Sequence, residues 1–206
     1  NGWYDLCEND TMMTVVLKAL AVNGYSWEGT GGTNYGITYI SSINKGDKSM
    51  GEFSGDRGSG WMGTLNDWFV NEGFQSFRAG ASNKDYSLEN GDEIKVMFTQ
   101  NLGKDLGGTW GNSDTSLKKL TISGGKLSPT FKKNTTEYGL LIDGDSKNIM
   151  ITPTAYNKNY LVKTFLNQYN SSSAYYKRTE TLSVKNGDII YIGIGENSWP
   201  SMNKQG

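Results

Sequence analysis

Only one stretch of this chain repeats its apolar residues at the helical period. Met13, Val16, Leu17, Leu20 and Ala21 fall on one stripe with Lys18 opposite, the pattern of an amphipathic helix. Asp10 or Thr11 can cap its start and Asn23-Gly24 supplies a left-handed stop, so a helix of about three turns is expected. Elsewhere the apolar residues alternate, or cluster in short runs between glycines. With 27 glycines, 3 prolines and an aromatic share of 12% in 206 residues, the chain suits short, twisted strands whose turns need positive φ. The expected class is mainly β.

In the first half, Ile37 to Ile43, Trp61 to Leu65 and Glu93 to Gln100 read as strands, while Gly29 to Gly36 and Asp47 to Gly60 read as glycine-rich loops. Asn66 to Gly73 reads as an aromatic turn or loop. Tyr86-Ser87-Leu88 runs through Glu89-Asn90-Gly91-Asp92 into the last of these strands, an Asn-Gly hairpin signal. Asn101 to Asp114 is polar, rich in glycine and broken only by Trp110, which marks it as a linker. Beyond it the helical period disappears. Leu117 to Ser123, Glu137 to Ile142, Asn148 to Thr152, Leu161 to Leu166, Thr179 to Val184 and Ile189 to Ile194 recur at the spacing of a β-sandwich. The turn Lys185-Asn186-Gly187-Asp188 repeats Glu89 to Asp92 and is read as shared turn physics, without internal duplication. Two domains follow, 1–112 with the helix and 113–206 all-β and Ig-like.

The chain has no histidine and one cysteine, Cys7. That removes Ser-His-Asp and Cys-His machinery, imidazole acid–base groups, an internal disulfide and a zinc site. A lone cysteine is usually a small buried hydrophobe, and that is the reading taken for Cys7. The formal charge of −1 comes from 20 basic and 21 acidic residues scattered along the chain, which argues against nucleic acid as a partner. No apolar run approaches the ~20 residues of a membrane-spanning helix, so no membrane insertion is expected, and any export signal is placed upstream of Asn1. Asp67 and Glu72 are the best glycosidase pair on offer, yet nothing sets them apart from the other carboxylates. Asp143, Asp145 and Asn148 lack the closing glutamate of an EF-hand, because Thr154 stands there. Asp47, Glu52 and Asp56 could bind calcium with backbone oxygens, with a solvated loop as the simpler reading.

Aromatic residues supply the binding candidates. Trp61 and Trp68 bracket Asn66 and Asp67 beside a glycine-rich loop, an arrangement that could offer ring faces and amides to a sugar or another flat ligand. Asn71 belongs to the same stretch. The rival reading puts Trp61 in the core and leaves only Trp68 exposed. Tyr25 and Trp27 either roof the core or join the same ligand face. The candidate ligand set is therefore Trp61, Asn66, Trp68, Asn71, Tyr25 and Trp27, with no cofactor. Trp110 and Trp199 read as anchors for a domain boundary and a terminus.

The order helix, Tyr39-Ile40-Ser41-Ser42-Ile43-Asn44 strand, long loop, Ser59-Gly60-Trp61-Met62, Asn66, then Leu88-Glu89-Asn90-Gly91-Asp92-Glu93-Ile94-Lys95-Val96 resembles the transcobalamin-like C-terminal domain of Gram-positive surface proteins. The resemblance implies a β-grasp-like α+β domain related to soluble-ligand-binding modules. Cobalamin is one ligand it brings to mind, but in that family a helical barrel supplies much of the site, and this sequence has none. Leu117 to Phe131, with Ser128-Pro129 after a Gly124-Gly125 turn, and then Asn134-Thr135-Thr136-Glu137-Tyr138 resemble the cadherin-like β-sandwich domain of bacterial surface proteins. There Ser-Pro marks an edge where a missing amide donor does no harm. That family calls for one more strand after Ser198 to Asn203, so a continuing parent chain is expected.

Together the two resemblances imply a non-catalytic, secreted or surface-attached binding or adhesion module of a larger bacterial protein. Its partner would be a glycan, a small molecule or a host or cell-wall surface component, bound by the first domain with the second as spacer. A purely structural pair of spacer domains is the alternative, and a carboxylate glycosidase stands behind both.

Overall fold

The computed structural model describes residues 2–32, 36–66, 68–70, 73–83, 86–108, 114–169 and 180–195. The chain divides into two compact units, Asn1–Trp110 and Gly111–Gly206. Both are mainly β, and the described residues contain a single α-helix.

That helix, α1, spans Met12–Val22. Thr11 is its N-cap. Its hydroxyl accepts the Thr14 N–H at 3.1 Å, and the Thr14 hydroxyl accepts the Thr11 N–H at 2.7 Å, so two otherwise unpaired donors are satisfied reciprocally. At the other end Asn23 donates Nδ2 to Ala19 O, and Gly24 leaves the helix at φ +72°. Met12, Met13, Val16 and Leu17 are buried, whereas Ala21, expected on the same stripe, is exposed. Only the first two turns face the core.

Three antiparallel strands follow in the order β1 (Ser26–Thr30), β2 (Tyr39–Lys45) and β3 (Lys48–Gly51). Two expectations are corrected here. Gly29 belongs to β1 and not to a loop, and Asp47 to Gly60 is no continuous loop, because Lys48–Gly51 pairs with β2 through Lys45↔Lys48 and Ile43↔Met50. The polar side chains of Lys48 and Ser49 hide this strand from a search for apolar alternation.

A second sheet has β4 (Gly60–Leu65) between β5 (Trp68–Phe69) and β6 (Ile94–Thr99). The expected hairpin around Asn90-Gly91 does not form. β6 pairs with β4 over six residues, Gly60↔Thr99 to Leu65↔Ile94, while Ser87 bridges Arg78 and the Leu88 N–H donates to Arg78 O at 2.9 Å. Residues 89–92 are thus an arch between two different neighbours. The physical reason is Leu88, buried at 2% exposure, which must enter the core just before the chain turns into β6.

The core of the first unit gathers Met12, Val16, Leu17, Ile40, Leu65, Phe69, Phe77 and Leu88. Each fully buried large side chain is worth about 1.5–3 kcal/mol. Gly63 makes room for this packing, since a Cβ there would stand 2.3 Å from the Phe74 ring and 3.0 Å from Met12 Cε. The segment expected to open the linker is ordered up to Gly108. Thr99 Oγ1 accepts the N–H groups of Asn101 and Gly103, Asp105 accepts the Gln100 N–H, and the Gly108 N–H donates to Gly103 O at 2.7 Å. Trp110, Trp199 and the expected last strand lie outside the described residues.

In the second unit β7 (Leu117–Ser123) and β12 (Glu180–Lys185) flank β10 (Ser146–Ala155), β11 (Leu161–Leu166) pairs with β13 (Ile190–Gly195), and β8 (Lys126–Ser128) pairs with β9 (Gly139–Leu141). Within β10, Pro153 stands opposite Leu120 of β7. Ile149, Ile151, Leu182 and Val184 form the buried cluster, with Leu120 and Ile122 of β7, Leu140 of β9, Leu166 of β11 and Ile190 and Ile192 of β13 packed against it. The Tyr138 hydroxyl donates to Lys132 O at 2.8 Å and accepts the Lys132 N–H at 3.1 Å, pinning the chain between β8 and β9.

Lys185 to Asp188 is again an arch and no hairpin, since β12 pairs with β10 and β13 with β11. The two arches share more than turn chemistry. Each is gripped by an asparagine at positive φ that follows the neighbouring strand, Asn66 after β4 and Asn167 after β11. The shared local physics of the two turns extends to the asparagine that holds each of them. Cys7 is corrected as well, for it is exposed.

Candidate functional site

The five candidate residues that the structure describes, Trp61, Asn66, Trp68, Tyr25 and Trp27, are put to different uses. Asn66 opens the two-residue connection between β4 and β5 at φ +52°, a conformation that asparagine tolerates better than most residues. Its side chain is spent on the arch, donating Nδ2 to Asp92 Oδ1 and accepting the Glu93 N–H. Trp68 is 5% exposed and packs edge-on against Phe77 at 5.9 Å, so its ring is core. Its Nε1 has no hydrogen-bond partner among the described residues. Trp61 is half-buried. It meets its cross-strand partner Phe98 edge-on at 5.2 Å, and its Nε1 donates to Met50 O at 2.9 Å, tying the second sheet to β3. Asn71, Asp67 and Glu72 lie outside the described residues.

Tyr25 and Trp27, in contrast, are brought together with residues that the sequence had not singled out. Trp27, Ile43 and Met50 are register partners across β1, β2 and β3, so their side chains stand side by side on one face of that sheet. Met50 is 43% exposed and Tyr25 37%. The strand period carries the same face to Lys45, whose Nζ lies 4.3 Å from the centroid of the Tyr25 ring. Tyr39 donates its hydroxyl to Glu52 Oε2 beside the sheet. Burial, reinforced by the Glu52 carboxylate, pushes the Tyr39 phenol up to about 12.

On this face an indole and a thioether flank the buried branched chain of Ile43, with a ring under an ammonium at one end. It offers apolar contact, cation–π attraction and, from Lys45, Lys48 and Glu52, hydrogen bonds at the margin. Met50 and Lys45 carry no motif. Their signal in the sequence is the alternation of residues 39–45 together with a short polar strand after the Gly46-Asp47 turn.

Two of the three carboxylates considered for calcium are engaged within the fold. Glu52 accepts from Tyr39, and Asp56 Oδ1 accepts the Gly58 N–H at 2.7 Å. Among the described residues no group of three or more Cys, Asp or Glu side chains is gathered as a metal site. Comparison with protein-family models, with curated proteins and with solved structures returned no match.

Proposed function

We propose that the chain is a non-catalytic binding module of a larger extracellular protein, with its first unit β-grasp-like and its second a cadherin-like sandwich that serves as spacer. The binding face is that of β1, β2 and β3, and its ligand is a glycan or small molecule with a flat apolar side. The observation that carries this reading is the register row in which half-buried Trp27 and exposed Met50 flank buried Ile43, with Lys45 over Tyr25. Titration of a glycan array and a small-molecule panel, read by tryptophan fluorescence, tests it. A ligand whose affinity falls at least about tenfold, or ~1.4 kcal/mol, in Trp27→Ala and Tyr25→Ala supports the face. Full affinity in both variants moves the site elsewhere.

A purely structural role is the second reading. It is favoured by the fact that Trp61, Asn66 and Trp68 are all used in holding the first unit together. Absence of any ligand across the panel would leave that reading standing.

A further inference from the structure

We propose that Asn90 and Asn186 are sites of spontaneous deamidation in the folded protein, whereas Asn23 is protected. All three precede a glycine. In such a pair the glycine nitrogen, once it has given its proton to solvent base, attacks the asparagine Cγ. The Cγ–Nδ2 bond breaks, ammonia leaves and a five-membered imide remains. Water then opens either imide C–N bond, yielding aspartate or isoaspartate, so that the net change is one water taken up and one ammonia lost. The reaction needs a glycine N–H free to ionise, an amide free to leave and space around the pair.

Space does not separate the three sites. Asn23, Asn90 and Asn186 are all exposed, and nothing lies within 4 Å of where a Cβ would stand on Gly24, Gly91 or Gly187. Hydrogen bonding does separate them. At the end of α1 the Gly24 N–H donates to Ala21 O at 3.0 Å and Asn23 Nδ2 donates to Ala19 O at 2.7 Å, which ties both the nucleophile and the leaving group to the helix. In the arches the closing bonds bypass the glycine, running from the Asp92 N–H to Glu89 O and from the Asp188 N–H to Lys185 O. Among the described residues the N–H groups of Gly91 and Gly187 have no acceptor, and neither do the leaving amides of Asn90 and Asn186. At Asn90 the Leu6 N–H donates to Oδ1 at 3.1 Å, which draws electrons from the carbon under attack and turns the amide nitrogen away.

The outcome bears on the fold because each pair sits inside a gripped arch. Isoaspartate routes the main chain through the former side-chain carbonyl and adds a backbone atom between residues 90 and 91, or 186 and 187. The closing bond of the turn and the asparagine grip at Asp92 or Asp188 are then out of register. Aspartate keeps the chain length and the grip.

The test is incubation of the intact chain in warm, mildly alkaline buffer, with peptide mapping by mass spectrometry to count acid and isoaspartate at positions 23, 90 and 186. A parallel sample in concentrated urea gives the rates without structure. In the native sample positions 90 and 186 are expected to convert at least about tenfold faster than position 23, and in urea the three rates converge, as the intrinsic lability of asparagine demands. Chromatographic separation should give isoaspartyl forms that melt below the unreacted protein, with Asn90→Asp and Asn186→Asp melting close to it. Native rates at 90 and 186 no greater than at 23 would overturn the proposal.

Discussion

Asn66 grips Asp92 from 26 residues away, with Nδ2 donating to Oδ1 at 2.8 Å. The same side chain accepts the Glu93 N–H at 2.9 Å, and its backbone N–H donates to Glu93 O at 2.8 Å. Asn167 repeats all three bonds with Asp188 and Ile189, at 2.9, 2.8 and 2.7 Å. Both asparagines are left-handed, at φ +52° and +61°. One residue thus locks an arch and fixes the register of the strand that leaves it, β6 in the first unit and β13 in the second.

Replacing Asn66 by alanine removes a hydrogen bond to a carboxylate and one from a backbone amide, and it puts at positive φ a residue that tolerates this conformation less well than asparagine. A loss of about 2–4 kcal/mol from the first unit is expected in urea denaturation. Asn66→Gly keeps the backbone conformation and should lose about 1 kcal/mol less, the cost of a left-handed alanine. The pair Asn167→Ala and Asn167→Gly should show the same ordering in the second unit. Equal stability of the alanine and glycine variants at either position would show that the positive φ does not matter there.

Trp68 and Trp27 should separate folding from binding. Trp68→Ala empties a core position against Phe77 and is expected to cost about 3–5 kcal/mol. Trp68→Phe also removes an indole N–H without a partner, which offsets part of the lost volume, so its cost should be well under half of that. Trp27→Ala should cost about 1 kcal/mol, in the range of an ordinary partly exposed substitution, and abolish ligand binding. Thermal melts and fluorescence titrations of the three variants decide this. A Trp27 variant as unstable as Trp68→Ala would place Trp27 in the core and remove it from the binding face.

Acid should loosen the second unit through Asp188. Its carboxyl is held below the usual carboxylate range by the Lys185 N–H and then by the Asn167 side chain. As pH falls, the unfolded chain takes up this proton before the folded one does. The stabilisation is therefore fully present above the unfolded carboxylate value of about 4 and drains away as pH falls through the lower folded value. Denaturation midpoints measured stepwise from neutral pH into acid should fall less steeply in Asp188→Asn than in the parent. Matching slopes would mean that the grip makes no difference between the two protonation states.

Limited proteolysis should leave two fragments, one for each unit, with no early cut within residues 99–108. Residues 99–108 are stitched by Thr99, Asp105 and Gly103, so a protease cannot draw them into an extended conformation without breaking those bonds. Early cuts between Asn101 and Lys104 would contradict that local order, and a single resistant core of full length would contradict independent units.

The sequence by itself determined what is written in local period. α1 is legible in the spacing of Met13, Val16 and Leu17, and the strands Leu117–Ser123 and Leu161–Leu166 in uninterrupted runs between turns, because side-chain direction repeats every 3.6 or 2 residues whatever lies nearby. The absence of histidine and the lone Cys7 were equally plain. Partner choice was not. Asn90-Gly91 and Asn186-Gly187 have the chemistry of hairpin turns, yet both became arches, since Leu88 and Val184 are buried and the strands beyond are claimed by β4 and β11. Nor could alternation sort Trp61 from Trp68, because the left-handed Asn66 between them turns the chain, and Phe77, not strand parity, buries Trp68. The proposed binding face likewise depends on register, as Trp27, Ile43 and Met50 meet only when three strands align. Period is a property of neighbours in the chain, whereas burial and pairing depend on which distant surface arrives to exclude water, and that is decided only in the tertiary structure.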